Sequence, residues 1–248
     1  MNWRDSAKRL LRLIGYEVSK FDHLHAPLKR RLMLMHSYGI SLIFDVGANS
    51  GQYAHLMRQY GYEGRIVSFE PIDSVFAELE ANAENDDRWI AVHSALGDYQ
   101  GTTVINVAAD KQCSSVLQVT DRFRNVTRAA EFTGQEPIRL STLDAEFGRY
   151  YETADQVLVK IDTQGYEKRV VDGSRRIIDK IQGFQLELSL VPLYEGEAAF
   201  VTMISYLSDL GFNLMSIEPT HADASSGRLL QVDALFFRDE PTRDASGA

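Results

Sequence analysis

The chain has 248 residues, of which 44% are hydrophobic and 25% charged, proportions typical of a globular domain with a sizeable core. Its net charge of −9 argues against general binding to nucleic acid. The longest uncharged apolar runs are too short to span a bilayer, and the first twenty residues lack a signal-peptide pattern. Cys113 is the single cysteine and excludes an intrachain disulfide, so we expect a cytoplasmic protein without a transmembrane segment.

The N-terminal segment differs in charge from the rest of the chain. Residues 1–31 hold eight Lys or Arg against three acidic residues, a net of +5 that leaves −14 for the remainder. The pattern predicts helices over Trp3–Ser19 and Pro27–Tyr38, so residues 1–40 form a helical extension. Apolar residues at positions 10–14 favour packing of the first helix on the domain. The alternative is peripheral contact of this basic helix with a membrane surface or an anionic substrate.

Strands and helices alternate from residue 41 onward. Predicted strands are Ser41–Val46, Arg65–Phe69, Trp89–Ser94, Thr102–Val107, Ile138–Ser141, Val157–Ile161, Phe184–Leu188, Asn213–Ile217 and Leu230–Phe237. Predicted helices are Gly51–Tyr60, Ser74–Asn85 with Asp73 as N-cap, a short one to Tyr150 behind a capping box at Ser141–Asp144, Gly165–Ile181, and Ala198–Leu210.

This alternation predicts an α/β fold with a mostly parallel sheet and helices on both faces. The last two strands predict a closing hairpin. We expect one domain over residues 41–238, a polar and irregular insertion over residues 110–136, and a disordered tail over residues 239–248.

The most informative segment follows the first predicted strand. Gly47 and Gly51 come directly after the apolar run Ile43–Val46 and before a helix, which lets the backbone approach a ligand closely. The pattern Asp45-x-Gly47-x-x-x-Gly51 differs from the Gly-x-Gly-x-x-Gly of dinucleotide sites, and an acid beside the loop would repel a pyrophosphate. A cationic ligand with a ribose and no phosphate, such as S-adenosylmethionine, fits this pattern.

The ends of the next two strands suit the rest of such a ligand. Glu70 closes the second strand, where a carboxylate can accept hydrogen bonds from both hydroxyls of a ribose. Ser94 and Ala95 follow the third strand, and residues this small can line an adenine pocket. The sequence therefore predicts a cofactor site over the first three strand ends.

Four acids come at predicted strand ends: Asp45, Glu70, Asp162 and Glu187. Ligands of an open α/β sheet bind at this edge, so we expect the four at one rim. Methyl transfer to a hydroxyl needs a proton acceptor, and Asp162 and Glu187 are candidates for that base or for a Mg²⁺ site. The alternatives are an N-cap role for Asp162 and a structural ion pair for Glu187.

Two histidines are further candidates for the base. His93 lies on the third strand near the cofactor rim, and His221 lies in a predicted late loop. No pair of histidines has a zinc-ligand spacing.

Six segments in this order resemble one family. They are Ile43–Gly51, Phe69–Pro71, Ala95–Asp98, Ser114–Ser115, Leu140–Asp144, and Lys160–Glu167, which reads Lys-Ile-Asp-Thr-Gln-Gly-Tyr-Glu. The order is similar to that of the FkbM family of S-adenosylmethionine-dependent methyltransferases. The resemblance implies a Rossmann-like class I methyltransferase fold with a seven-stranded sheet, and O-methylation of a sugar, glycoconjugate or polyketide hydroxyl. It implies cofactor contacts from Asp45, Gly47, Asn49, Gly51 and Glu70, with Asp162 at the rim.

Other functions stay open at this stage. They are methylation of a non-sugar natural-product hydroxyl, nicotinamide-dependent oxidation or reduction, and binding without catalysis. The expected partner is a small-molecule or glycan acceptor, with no nucleic acid, and a homodimer is compatible with the chain. Long irregular segments often select substrates, so residues 1–40 and 110–136 are candidates for acceptor recognition.

Overall fold

The two central strands of the main sheet are buried on both faces. β1 (Leu42–Val46) and β7 (Val157–Ile161) pair in parallel, and every residue of both is buried. Leu42, Phe44 and Val46 face one core, whereas Ile43 faces a second core on the opposite side. Strands covered on both faces read as continuous apolar runs, which is why their positions are legible in the sequence. A computed structural model describes residues 26–239 of the chain.

Five more strands complete the main sheet. β2 (Arg65–Glu70) and β3 (Trp89–His93) extend it on one side, and β8 (Ile181–Ser189), β9 (Asn213–Ala222) and β10 (Leu229–Phe237) on the other. The order is β3-β2-β1-β7-β8-β10-β9, and β10 runs antiparallel to both of its neighbours. The predicted closing hairpin is therefore confirmed. The chain reverses direction across the sheet between β1 and β7, which is the switch point where α/β folds bind ligands.

The helices cover both faces, with bounds that differ from prediction at several ends. They are α1 (Pro27–Ser37), α2 (Gln52–Gln59), α3 (Asp73–Ala83), α4 (Asp121–Val126), α5 (Leu143–Glu146), α6 (Glu167–Asp172) and α7 (Phe200–Asp209). Asp73 is the first residue of α3 rather than its N-cap, a position that Ile72 occupies. The long helix predicted from Gly165 is wrong: α6 ends at Asp172 with Gly173 as its C-cap, a residue type that is unfavourable within a helix.

The predicted irregular insertion is largely ordered. β4 (Ala95–Leu96), β5 (Gly101–Ala108) and β6 (Phe132–Ser141) form a second sheet of order β4-β6-β5. β6 begins six residues before the predicted strand at Ile138, because polar residues over 132–137 pair with β5 while most of them stay exposed. α4 lies between β5 and β6. The prediction of an irregular segment over residues 110–136 is wrong for these parts.

The capping box predicted at Ser141–Asp144 is also wrong. Thr142 is the N-cap of α5, and its side chain accepts a hydrogen bond from the Ala145 amide. Asp144 instead accepts from the backbone amides of Arg176 and Ile177, thereby fixing the loop after α6.

α1 packs onto the sheet, since Arg31 donates to Glu218 of β9 at 2.6 Å. The predicted helix Trp3–Ser19 and the tail after Asp239 lie outside the described residues. Among residues 26–239, no helix is long and apolar enough to cross a bilayer.

Candidate functional site

The loop after β1 is shaped by three residues with left-handed backbone. Gly47 has φ +74°, and a Cβ on it would lie 1.9 Å from the carbonyl oxygen of Asp162. Asn49 has φ +49°, and its side chain accepts from the Ser50 amide at 2.8 Å. Gly51 has φ +93°, and a Cβ on it would lie 2.4 Å from the ring of Trp89. Gly47 therefore permits contact between the loop and the end of β7, whereas Gly51 permits packing on Trp89.

Glu70 joins the loops that follow β1 and β2. Its Oε2 accepts from the Asn49 amide at 3.0 Å, and its Oε1 accepts from the Ile72 amide at 2.9 Å. Burial raises the pKa of Glu70 to about 7, although the two backbone donors favour the charged form. The side chain lines a cavity at the carboxyl ends of the central strands, as its position at the end of β2 predicts.

Asp45 does not lie at the rim with the other three acids. It is fully buried, and its Oδ1 lies 3.0 Å from Nζ of Lys160, the residue directly opposite on β7. Ser68 donates to Oδ2 at 3.1 Å, and Lys160 also donates to the Gly47 carbonyl at 3.1 Å. Asp45 is expected from the sequence to contact a cationic ligand. In the structure its charge is instead paired with Lys160 beneath the loop, and its side chain does not line the cavity.

Lys160 is a site residue that the sequence analysis missed. Burial alone would lower the pKa of its amine, but Asp45 and Asp162 outweigh this effect and raise it. A lysine within the most apolar strand of the chain was the available signal, because a buried ammonium needs an anionic partner.

A cavity of about 490 Å³ opens at the carboxyl ends of β1, β2, β7 and β8. One side is apolar and includes Ile72, Ala95, Ile105, Val116 and Ile138, which belong to one apolar cluster. The other side is polar and includes Arg31, Lys160, Asp162, Gln164, Gln185, Glu187, Glu218 and Asp233. Gly47, Asn49 and Glu70 line the same cavity. A site of this size, with an apolar and a polar half, suits a small ligand and a second reactant.

Part of the polar side is an ion cluster below α1. One guanidinium nitrogen of Arg31 lies 2.6 Å from Glu218 and 2.9 Å from Asp233. Gln185 donates to Asp233 at 3.0 Å and accepts from the Tyr53 hydroxyl at 3.2 Å. Burial raises the pKa of Asp233 to about 6, with Arg31 opposing the shift. Sequence reasoning missed this cluster because Arg31 precedes Glu218 by 187 positions.

Asp162 and Glu187 meet at a single amide. Nε2 of Gln164 donates to Asp162 Oδ1 at 2.8 Å and to Glu187 Oε2 at 2.7 Å, and Gln231 also donates to Glu187 Oε2 at 3.0 Å. Burial, followed by the charges of Asp162 and Asp233, raises the pKa of Glu187 well above its ordinary value. Both acids lie in the cavity wall, as predicted from their strand ends.

These two carboxylates do not fit the predicted magnesium site. Mg²⁺ requires octahedral oxygen ligands, whereas the group between Asp162 and Glu187 is an N–H donor. Within residues 26–239, no group of three or more His, Cys, Asp or Glu side chains could hold a metal ion.

Four further predicted site residues, Gly51, His93, Ser94 and His221, lie outside the cavity wall. The His93 ring stacks on Phe76 at 4.4 Å, with Nε2 3.1 Å from the Pro71 carbonyl oxygen. His221 lies on β9, not in a loop, with its ring 6.2 Å from that of Phe123. Ser94 is buried and donates to the Ala95 carbonyl, while Ala95 itself lines the cavity. Neither histidine therefore lines the cavity in which the proton would be taken.

Among curated proteins, no sequence matches the chain significantly. Solved structures that resemble it include TehB from Haemophilus influenzae, with 9% identity over 85% of this chain and 62% of TehB, at a TM-score of 0.47. Magnesium protoporphyrin IX methyltransferase from Synechocystis PCC 6803, with bound S-adenosylmethionine, has 9% identity over 94% of this chain and 91% of its own, at 0.46. Aeropyrum pernix fibrillarin, in complex with S-adenosylmethionine, has 14% identity over 79% and 66%, at 0.43. Similarities this distant carry no information about the acceptor.

The sheet order, the antiparallel last strand and the cavity at the switch point define a Rossmann-like class I methyltransferase fold. The chain belongs to the methyltransferase FkbM domain family, whose domain matches residues 45–214. The expected family is thereby confirmed, and the class of reaction is methyl transfer from S-adenosylmethionine rather than hydride transfer with a nicotinamide.

Proposed function

We propose that the protein methylates a hydroxyl group of a sugar or glycoconjugate. The observation that carries the proposal is the divided cavity, whose polar side places carboxylates and amides beside the residues suited to a cofactor. Hydroxyl-rich acceptors are recognised by many placed hydrogen-bonding groups, which Asp162, Gln185 and Glu187 supply.

The other side of the cavity fits S-adenosylmethionine. Gly47 and Asn49 would hold its amino-acid portion, Glu70 its ribose, and Ala95 with Ile105 its adenine. Asp162, at the β7 end beside Gly47, would face the cationic part. The bound cofactor supplies an electrophilic methyl group.

Glu187 is the group best placed to take the proton of the acceptor hydroxyl. Both hydrogen bonds that it accepts from residues 26–239 go to Oε2, which leaves Oε1 for the acceptor. Burial raises the pKa of Glu187 above that of an ordinary carboxyl group, which makes its ionised form a stronger base. The acceptor oxygen would bond to the methyl carbon that the cofactor supplies, sulfur would keep the electron pair of the broken methyl–sulfur bond, and Glu187 would take the proton.

A screen of glycoside acceptors with methyl-labelled S-adenosylmethionine tests the proposal. We expect label in a sugar methyl ether, and Glu187→Gln should lower kcat by about 10²–10⁴-fold because the amide cannot accept the proton. Asp239→Asn, at an exposed residue after β10, is the matched control and should leave kcat unchanged. If only non-sugar hydroxyl compounds were labelled, the proposed acceptor class would be contradicted. If Glu187→Gln turned over at the wild-type rate, Glu187 would not be the base.

A further inference from the structure

The loop after β7 has a backbone built around one side chain. Gln164 has φ +54° and Gly165 has φ +96°, a left-handed pair in which only the second residue is glycine. The buried Glu167 carboxylate holds this pair, because its Oε1 accepts from the Thr163 and Gly165 amides at 3.0 Å each. A Cβ on Gly165 would lie 2.8 Å from Cβ of Tyr194. The strained conformation of Gln164 is therefore imposed by its neighbours, which aim its side chain into the cavity.

Every polar atom of the Gln164 side chain is engaged. Nε2 donates one hydrogen to Asp162 and the other to Glu187, while Oε1 accepts from the Tyr194 hydroxyl at 2.6 Å. Tyr194 is buried, and its ring packs edge-on against Phe123 at 5.6 Å. Turning the amide over would point its oxygen at two carboxylates and its NH2 group at the Tyr194 hydroxyl, which also lies 3.2 Å from the Cys113 carbonyl oxygen.

The second sheet also holds this loop. The Ser115 hydroxyl donates to the Gln164 carbonyl at 2.7 Å, and Ser115 pairs with Asn106 of β5. Gln164 thus lies where the insertion, the end of β7 and the segment after β8 meet.

The charges around Glu187 show what the amide contributes. Asp162, Asp233 and Glu167 are acids near it, and Cys113 and Tyr194 are titratable groups that face the same region. Lys160 is directed to Asp45, and Arg31 to Glu218 and Asp233. Among residues 26–239, the hydrogen bonds to Glu187 therefore come from two neutral amides, Gln164 and Gln231, and not from a cation.

We propose that Gln164 is a positioning residue for methyl transfer, which holds the Asp162 and Glu187 carboxylates in fixed orientation and leaves Glu187 Oε1 open to the acceptor. Tyr194 fixes the orientation of the amide. The inference rests on the proposed function of Glu187 as the base. Gln164 acts through Glu187 and does not itself exchange a proton.

The test compares Gln164→Met, which keeps the length but removes the amide, with Tyr194→Phe, which removes one hydroxyl. Gln59→Met is the matched control, an exposed glutamine at the end of α2, away from the cavity. We expect Gln164→Met to lower kcat about 10–100-fold with little change in the cofactor KM, and Tyr194→Phe to act in the same direction by less. The acid limb of the kcat–pH profile should move up by about one pH unit, because Glu187 loses a donor to its charged form.

A second readout does not depend on turnover. The carboxyl carbon resonance of Glu187, assigned by its loss in Glu187→Gln, should titrate at higher pH in Gln164→Met than in the wild type, without cofactor or acceptor. An unmoved titration midpoint overturns the inference even if no acceptor is ever methylated, and so does a moved midpoint with unchanged kcat. If Gln164→Met does not fold, the same titration of Glu187 is measured in Tyr194→Phe. An unmoved midpoint in that variant overturns the inference. Absence of methyl transfer by the wild type would refute the proposed function alone.

Discussion

At the scale of single residues, two strand-end acids with similar sequence contexts have different roles. Asp45 lies within the sheet and is neutralised by Lys160, whereas Glu70 lies one position beyond the apolar part of β2 and reaches the loop. The sequence predicts that both are near the cofactor, but only the pairing of β1 with β7 shows that the Asp45 charge is already matched. Gln164 escaped prediction because its role depends on a left-handed φ and on Tyr194, thirty positions later.

Glu70 gives the first prediction at this scale. Glu70→Ala removes a carboxylate that fits the ribose and leaves the buried Ile72 amide without its partner. We expect the affinity for S-adenosylhomocysteine to fall by a factor of at least ~10, since a hydrogen bond to a charged group is worth about 1.5–3 kcal/mol. Calorimetry measures the affinity, with Glu80→Ala on the exposed face of α3 as the control. Equal affinity in both variants would remove Glu70 from the cofactor site.

At the scale of elements, burial decides what the sequence can show. β1, β2 and β7 can be predicted from the sequence because they are buried and rich in apolar residues. The ends of β1 and β7 then locate the loops at Gly47 and Asp162. The first half of β6 lacks an apolar strand pattern, because Thr133, Gln135 and Glu136 are polar and most of its residues are exposed; pairing with β5 orders it. The insertion therefore forms a wall of the cavity, where the sequence predicts only an irregular segment.

Gly47→Ala tests whether the contact between two loops supports the site. A Cβ at Gly47 meets the Asp162 carbonyl oxygen, and φ +74° is unfavourable for alanine. We expect the free energy of unfolding to fall by about 2 kcal/mol or more, together with cofactor affinity. Denaturant unfolding and calorimetry measure the two effects.

Two glycine controls separate the effect of backbone strain from the effect of the contact with the Asp162 carbonyl oxygen. Gly61→Ala adds a Cβ at φ +86° with no atom within 4 Å, so it reports backbone strain alone. Gly134→Ala, where the added Cβ also meets nothing within 4 Å, should change stability by about 0.5 kcal/mol or less. If Gly47→Ala lowers the free energy of unfolding by no more than Gly61→Ala does, the contact between Gly47 and the end of β7 is dispensable.

At the scale of the whole molecule, several buried carboxyl groups have pKa values that burial raises. Burial raises the pKa of Glu70 and of Glu167 to about 7, raises that of Asp233 to about 6, and raises that of Glu187 in the same direction. These acids ring the cavity and the loop after β7, where a ligand with positive charge would stabilise their ionised forms. Ionising these buried carboxyl groups near neutral pH therefore lowers the free energy of unfolding of the ligand-free protein.

The last prediction follows from the sign of these shifts. A carboxyl whose folded pKa lies above its unfolded value binds more protons when folded, so its contribution to stability is complete below about pH 4.5 and is lost as the pH rises through the folded pKa. We therefore expect the free energy of unfolding, measured with urea in the absence of ligand, to decrease between about pH 5 and pH 8. A pKa near 7 corresponds to a loss of up to ~3 kcal/mol per group. Glu167→Gln, which keeps an oxygen acceptor for the Gly165 amide, should flatten the decrease, whereas Glu80→Gln on exposed α3 should not. Stability that rises with pH over this range would mean that the buried carboxyls are already ionised in the folded protein.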